Sequence, residues 1–227
     1  MIAATISVQA LKAQTADEII NKFIEAIGGK EKMLALKSIK SEGALTVQGA
    51  EVSITSTTLS GVGSRTDISV PGIDPGFRII TPTKGWNFAP YLGQTSPEEV
   101  SEEQLKAGQA GLDLQTPFLN YKEKGHQVEL LGKEKLDGVD CYKIKITYKN
   151  GVNATSYFDA NTFYRVKTIA KGNVRGQMMD VETRYSDFRK LPEGYVIPFK
   201  QVSPNGELNV STVEINKPVD ESIFVAK

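Results

Sequence analysis

Few side chains in the sequence have the type and spacing needed for nucleophilic, acid–base or metal chemistry. The chain contains one histidine, His126, and one cysteine, Cys141. Within one chain, these counts exclude a disulfide, a cysteine-rich zinc site and any metal site that requires two histidines. We therefore predict that the protein holds no metal and no cofactor.

His126 ends the charged segment 122–126, just before a predicted strand. A general base there would need a nucleophile and an orienting group close in space. The sequence contains no nucleophile elbow, zinc-protease pair, Walker loop or dinucleotide-binding glycine motif. We predict that His126 is a solvated loop residue, and a hydrolase built on it is the weakest of three functional hypotheses.

The remaining candidates also favour a structural interpretation. Cys141 stands beside Tyr142 in a predicted strand, where a free thiol is usually buried and inert. The aspartates fall at predicted turns, where a carboxylate bonds its own backbone, although a catalytic pair is an alternative. These are Asp137, Asp140, Asp159, Asp180 and Asp187. We predict that the protein is not an enzyme.

Composition narrows the class further. The 227 residues include 27 lysines and arginines and 27 aspartates and glutamates, so the formal net charge is zero. A general nucleic-acid binder needs a basic surplus, so we predict no nucleic-acid partner. Residues 1–14 begin with a short, mildly apolar stretch that resembles the end of a signal peptide. This favours export, and a frayed cytoplasmic terminus is the alternative.

The elements that would position functional residues are mostly strands. Thr15 and Glu18 form a capping-box pattern, and isoleucines and Phe23 at helical spacing predict a helix that ends at Gly28-Gly29. From Ile39 onward, period-two runs separated by turn residues predict about 10–11 antiparallel strands. The clearest run extends from Tyr142 to Tyr148. Since no linker divides the chain, we predict one continuous sheet over residues 15–227.

The middle of the chain lacks the period-two pattern of the strands. Ser96-Pro97-Glu98-Glu99 predicts a helix start, and a second short helical or irregular segment follows over residues 112–121. Both are weakly apolar, so we predict that they cover a sheet rather than form its core. Residues of this region and of the strands before it could line an apolar cavity, and a filled core is the alternative. They are Phe77, Ile79, Trp86, Phe88, Tyr91, Leu105, Leu112, Leu114, Phe118 and Leu119.

The order of these parts resembles the LolA/LolB-like outer-membrane lipoprotein-sorting proteins, in the Bacteroidetes-type version. The resemblance covers roughly residues 16–225. It rests on the N-terminal helix, the helical insertion and several short motifs: Lys84-Gly85-Trp86-Asn87, residues 125–132, Asp137-Gly138-x-x-Cys141-Tyr142-Lys143, Tyr157-Phe158-Asp159, Tyr185-Ser186-Asp187-Phe188-Arg189, Pro198 and Ile223-Phe224.

The resemblance implies a mainly β fold, an unclosed antiparallel β-barrel around a hydrophobic cavity, with helices as plug or lid. It also implies a periplasmic carrier of lipids or of lipoprotein acyl chains, associated with the outer membrane and in contact with envelope membrane proteins. Arg65 is the nearest candidate for an arginine that holds the lid shut. A non-catalytic interaction or envelope-stress sensor module, as the partner of a protease or regulator, is the alternative function.

Overall fold

The computed structural model describes residues 14–47, 49–174 and 176–226. Three α-helices lie in these ranges: α1 (Ala16–Ala26), α2 (Lys30–Ala35) and α3 (Glu102–Gln109). No helix there is long and apolar enough to cross a membrane. The signal-peptide-like segment predicted over residues 1–14 lies outside the described residues, apart from Gln14.

Thirteen strands form one antiparallel sheet in the order β6-β5-β4-β3-β2-β1-β13-β12-β11-β10-β9-β8-β7. The edge strands β6 and β7 do not pair with each other, so the sheet is unclosed, as predicted. The strands are β1 (Ser38–Val47), β2 (Ala50–Leu59), β3 (Gly63–Ser69), β4 (Gly76–Ile80), β5 (Gly85–Phe88), β6 (Glu98–Glu99), β7 (Gln127–Leu136), β8 (Val139–Thr147), β9 (Asn153–Asp159), β10 (Arg165–Val174), β11 (Gln177–Lys190), β12 (Val196–Ser203) and β13 (Gly206–Ile215).

The predicted helix start at Ser96 is wrong. Glu98–Glu99 instead adds a short edge strand to β5, with Trp86 opposite Glu99. The helix begins five residues later, where Ser101 accepts from the Gln104 N–H and the Gln104 side chain accepts from the Ser101 N–H. Two capping patterns follow each other in the sequence, and pairing with β5 excludes the first of them from a helix.

Helix α3 shows how strongly the sheet curves. From β4 to β10 the sheet order takes seven interstrand steps. In a flat sheet, seven steps of about 4.8 Å would separate these strands by about 34 Å. The eight residues of α3 extend for only about 12 Å, and yet α3 contacts both β4 and β10. The sheet therefore curls around α3, which lies on its concave face.

The N-terminal helix fills one end of the concave face. Its capping box and its buried face are as predicted. Phe23 packs edge-on against Phe158 of β9, with ring centroids 5.0 Å apart. Register places Tyr142 opposite Phe158 and Ile144 opposite Ser156, so these side chains share the concave face. Together with α1 and α2 they form the main hydrophobic core.

A second, smaller core lies on the convex face. Phe224 ends the 3-10 helix Glu221–Phe224 and packs against Phe77 and Ile79 of β4. Gly63 of β3 lets the ring approach, because a Cβ at Gly63 would lie 2.6 Å from Cγ of Phe224. The C-terminal segment therefore covers the convex face of β3–β5. We call the residues packed together there the outer cluster: Phe77, Ile79, Trp86, Phe88 and Phe224.

We expect Gly63→Ala to destabilise the fold by about 1–3 kcal/mol, since the added methyl overlaps a ring that the outer cluster holds in place. Gly111→Ala is the matched control. Its φ lies outside the left-handed region and a Cβ there would meet nothing within 4 Å, so we expect it to be neutral or stabilising by up to about 1 kcal/mol. Urea denaturation measures both. Equal stabilities of the two variants would contradict the packing described for Phe224.

Candidate functional site

A cavity of about 440 Å³ lies between the helices and the concave face of the sheet, within the 300–1,000 Å³ typical of small-molecule sites. We call it the inner cavity. Its apolar lining comes from α1 and α2, from the centre of the sheet and from the segment after α3. These residues include Phe23, Ile27, Met33, Leu36, Ile39, Leu114 and Ile215.

Six side chains with polar groups interrupt this lining: Asp113, Thr116, Tyr148, Arg165, Tyr185 and Tyr195. Arg165 reaches the cavity because of a β-bulge. Arg165 pairs with Phe158 and Lys167 pairs with Tyr157, so β10 gains one residue against β9. The bulge directs Arg165 to the concave face and Lys167 to the convex face.

A second cavity of about 850 Å³ adjoins the first and is more open to solvent. We call it the mouth cavity. Ala110, Asp113, Pro117 and Tyr148 line both cavities. The charged and titratable groups of the mouth cavity are Asp113, Lys124, His126, Tyr148 and Lys149. Lys124 Nζ lies 2.6 Å from an Asp113 carboxylate oxygen, so the excess charge at the mouth is positive.

Residues 102–117, which we call the lid segment, separate the inner cavity from the mouth. Helix α3 has no fully buried residue. Polar bonds attach the segment to the turns around it: Gln109 donates to the Pro82 carbonyl at 2.9 Å, Asn150 donates to the Lys106 carbonyl at 3.1 Å, and the Gly61 N–H donates to the Leu112 carbonyl at 3.0 Å. Leu112, Thr116 and Pro117 at the end of the segment are buried. Helix α3 itself has few buried contacts and is held by exposed hydrogen bonds, which are the features of an element that opens locally.

The structure corrects the prediction for His126. The ring is half-buried at the mouth rather than in a solvated loop, and Nδ1 accepts a hydrogen bond from the Lys149 N–H at 3.1 Å. The ring also packs edge-on against Tyr148. Burial lowers the pKa of His126, and the positive charge of Lys124 lowers it further. Since Nδ1 accepts from backbone, the neutral ring carries its proton on Nε2.

We expect an NMR titration of this single imidazole to give a pKa below 6.5, because burial and Lys124 both disfavour the charged ring. A folded-state pKa below the unfolded one stabilises the protein above about pH 6.5, and that contribution is lost as the pH falls through the folded pKa. Lys124→Gln removes one cause, so it should raise the pKa of His126. A value at or above 6.5 in the native protein would contradict this environment.

The other sequence candidates for chemistry are structural. Cys141 is free and fully buried, as predicted, and burial raises the pKa of its thiol. Asp159 accepts from the Asn161 and Thr162 N–H groups at its turn. The Asp137 carboxylate pairs with Arg184. Among the described residues, no three histidine, cysteine or acidic side chains are grouped as metal ligands.

The ten residues predicted to line a cavity separate into five groups. Leu114 lines the inner cavity and Leu112 lines the mouth cavity. Phe118 and Leu119 are buried in the main core. Leu105 is half-buried on α3. Tyr91 lies in a separate polar groove. The remaining four belong to the outer cluster on the convex face: Phe77, Ile79, Trp86 and Phe88.

Arg65 also belongs to the convex face. It donates to the Ile223 carbonyl at 3.0 Å, pairs with Asp67 at 2.8 Å and lies over the ring of Phe77, 4.6 Å from its centroid. Register explains the placement, since Arg65 is opposite Ile79 and both point away from α3. Arg65 therefore fastens the C-terminal segment to the convex face of β3 and β4.

A third depression on the concave face is polar. It has a volume of about 530 Å³ and is lined by Arg78, Asn87, Tyr91, Glu98, Glu99 and Gln104, among others. Register places Arg78 opposite Thr66 and Asn87. Burial lowers the pKa of Arg78. We call this site the polar groove. Its lining includes two carboxylates, in contrast with the apolar lining of the inner cavity.

No model of a protein family matches the sequence, and no curated protein matches it. Solved structures do match. A LolA superfamily protein from Nitrosomonas europaea has a TM-score of 0.57 at 19% identity, with 94% of this chain and 98% of that chain covered. A putative outer membrane lipoprotein-sorting protein domain from Vibrio parahaemolyticus has a TM-score of 0.54 at 16% identity, with 92% and 95% covered.

A DUF1329 family protein from Desulfovibrio piger has a TM-score of 0.51 at 12% identity, with 91% of this chain and 95% of that chain covered. These likenesses extend over nearly the whole chain. They confirm that the chain has the fold of LolA superfamily and lipoprotein-sorting proteins, as the sequence resemblance implied.

Proposed function

We propose that the protein is a non-enzymatic carrier that binds lipids, or the acyl chains of lipoproteins, in the inner cavity. The observation that supports this most strongly is the apolar lining of a 440 Å³ cavity inside the half-barrel. An acyl chain gains about 0.8 kcal/mol for each methylene that it transfers from water to such a lining.

The lid segment fits a carrier, which must release what it binds. Polar, mostly exposed contacts hold residues 102–117 over the junction of the two cavities. Opening the α3 part of the segment would expose little apolar surface, since α3 buries none of its residues fully. We propose that the segment opens to admit and release the acyl chain.

We place the carrier in the periplasm, where it would meet envelope membrane proteins and the outer membrane. This placement rests on the signal-peptide-like residues 1–14 and on the fold that the chain has in common with a lipoprotein-sorting domain. The zero formal net charge favours contact with a specific partner over broad attraction to anionic lipid.

A binding titration tests the proposal. The protein is unfolded, freed of lipid and refolded, and then titrated with the neutral fluorophore N-phenyl-1-naphthylamine. We expect saturable binding at one site and displacement of the fluorophore by 1-dodecanol. Failure of both would overturn the carrier proposal. Capture of a protein partner by a chain that binds neither compound would favour the interaction-module alternative.

A further inference from the structure

The inner cavity contains a positive charge that the described part of the chain leaves without a counter-charge. Arg165 is half-buried on the concave face. Its guanidinium lies over the ring of Tyr185, whose centroid is 5.4 Å from Cζ of Arg165, and its charge also acts on the Tyr148 hydroxyl. No hydrogen bond or ion pair joins the Arg165 side chain to another described residue. An unpaired cation in an apolar site has lost part of its hydration without an opposite charge to compensate.

The other charges around both cavities do not neutralise Arg165. Asp113 is the one carboxylate among the described residues that line the inner and mouth cavities. It is already paired with Lys124 at 2.6 Å, and Lys124 also donates to the Thr116 carbonyl at 2.8 Å. Lys149 adds a further positive charge at the mouth. A ligand that passes through the mouth cavity therefore enters a positive field.

Hydroxyl groups line the same cavity as Arg165. Tyr148 is half-buried and lines both cavities, and desolvation raises the pKa of its hydroxyl, so it stays a donor. Tyr185 lines the inner cavity as well. The Thr116 hydroxyl is buried and has no hydrogen-bond partner among the described residues. Buried polar atoms without partners are rare in folded proteins, and this hydroxyl is free to bond the head group of a ligand.

We propose that the ligand of the inner cavity is an anionic single-chain amphiphile whose head group binds Arg165, with Tyr148, Tyr185 and Thr116 as the neighbouring hydroxyl groups. This inference rests on the proposed function and adds the head-group chemistry. A planar guanidinium donates two parallel hydrogen bonds to a carboxylate or phosphate. The chain of the amphiphile lies along Phe23, Met33, Leu36 and Ile215, which line the same cavity.

Displacement of N-phenyl-1-naphthylamine at pH 8 by three twelve-carbon compounds tests the proposal. They are laurate, dodecyl phosphate and the neutral 1-dodecanol. Dodecanol leaves water more readily than an ionised chain does, so a cavity without a functional cation should prefer it. We expect at least one anion to bind about 10-fold or more tightly than dodecanol, since hydrogen bonds to charged groups are among the strong ones. The comparison of laurate with dodecyl phosphate identifies the head group.

Arg165→Gln should weaken binding of the preferred anion by about 10-fold or more and leave dodecanol unchanged. Arg78→Gln is the matched control, since Arg78 is also a half-buried arginine on the concave face, but in the polar groove. We expect it to change neither affinity. Far-UV circular dichroism of both variants checks that they fold.

The outcomes separate this inference from the carrier proposal. Displacement by dodecanol and by both anions with equal affinity would overturn the head-group assignment and leave the carrier proposal in place. An anion preference that is lost in Arg78→Gln but kept in Arg165→Gln would also overturn the assignment. Failure of all three compounds to displace the fluorophore would overturn the carrier proposal itself.

Discussion

Ala110→Trp should weaken dodecanol binding by about 100-fold while the protein stays folded. Ala110 lines both the inner cavity and the mouth cavity, so an indole there occupies space that the alkyl chain of dodecanol needs. Each methylene kept in water loses about 0.8 kcal/mol, and exclusion of about four methylenes corresponds to about 3 kcal/mol, or about 100-fold. Displacement of N-phenyl-1-naphthylamine measures the effect.

Glu103→Trp is the control for this variant. It places the same side chain on α3 at an exposed position that lines neither cavity. We expect its dodecanol affinity to equal that of the unchanged protein. If Ala110→Trp binds dodecanol as tightly as Glu103→Trp does, the alkyl chain of dodecanol does not enter the space between the two cavities.

Phe118→Ala should destabilise the fold by about 3–5 kcal/mol, the range for a fully buried phenylalanine. Phe118 follows the lid segment and is 1% exposed. Its ring packs edge-on against Phe158 and Phe23, with centroids 5.4 and 6.0 Å away. The substitution leaves a cavity where the lid segment joins the core. Urea denaturation followed by Trp86 fluorescence gives the free energy of unfolding.

Leu92→Ala is the control for this loss, because Leu92 is 79% exposed and should cost less than about 0.5 kcal/mol. A loss below about 1 kcal/mol in Phe118→Ala would contradict the packing of the three rings. We also expect Phe118→Ala to bind dodecanol more weakly, since the end of the lid segment loses its anchor.

The fold was predictable because the strands that form the core have clean period-two patterns. Tyr142, Ile144 and Ile146 alternate with lysines and threonine, and the structure places all three on the concave face. The face of α1 was equally clear. Short elements were not predictable, since Glu98–Glu99 is a strand only because the edge of β5 is available to pair with it.

The convex side of β3–β5 shows why four of the ten predicted cavity residues lie outside the cavities. Phe77 and Ile79 alternate with Arg78 and Ile80, and the pattern indicates that the phenylalanine side is the buried one. The side that carries Phe77 is buried, but on the convex face, where the C-terminal segment with Phe224 covers it. That segment is remote in sequence, and a local pattern carries no information on which face it covers.

Arg165 could not be identified from alternation alone. The sequence indicates an inward row of Tyr164, Val166 and Thr168, which would direct Arg165 outward. The bulge between Arg165 and Lys167 reverses the assignment at Arg165. Bulges depend on pairing with the neighbouring strand, so they leave little signal in the bulged strand itself.

The central claim is that an acyl chain occupies the inner cavity, and photolabelling tests it most directly. A twelve-carbon alcohol with a diazirine at the chain end is bound, irradiated and located by peptide mass spectrometry. We predict labels on residues that line the inner cavity, such as Met33, Leu36 and Ile215, and competition by dodecanol. Labels confined to Phe77, Trp86 and Phe224 of the outer cluster would contradict the claim.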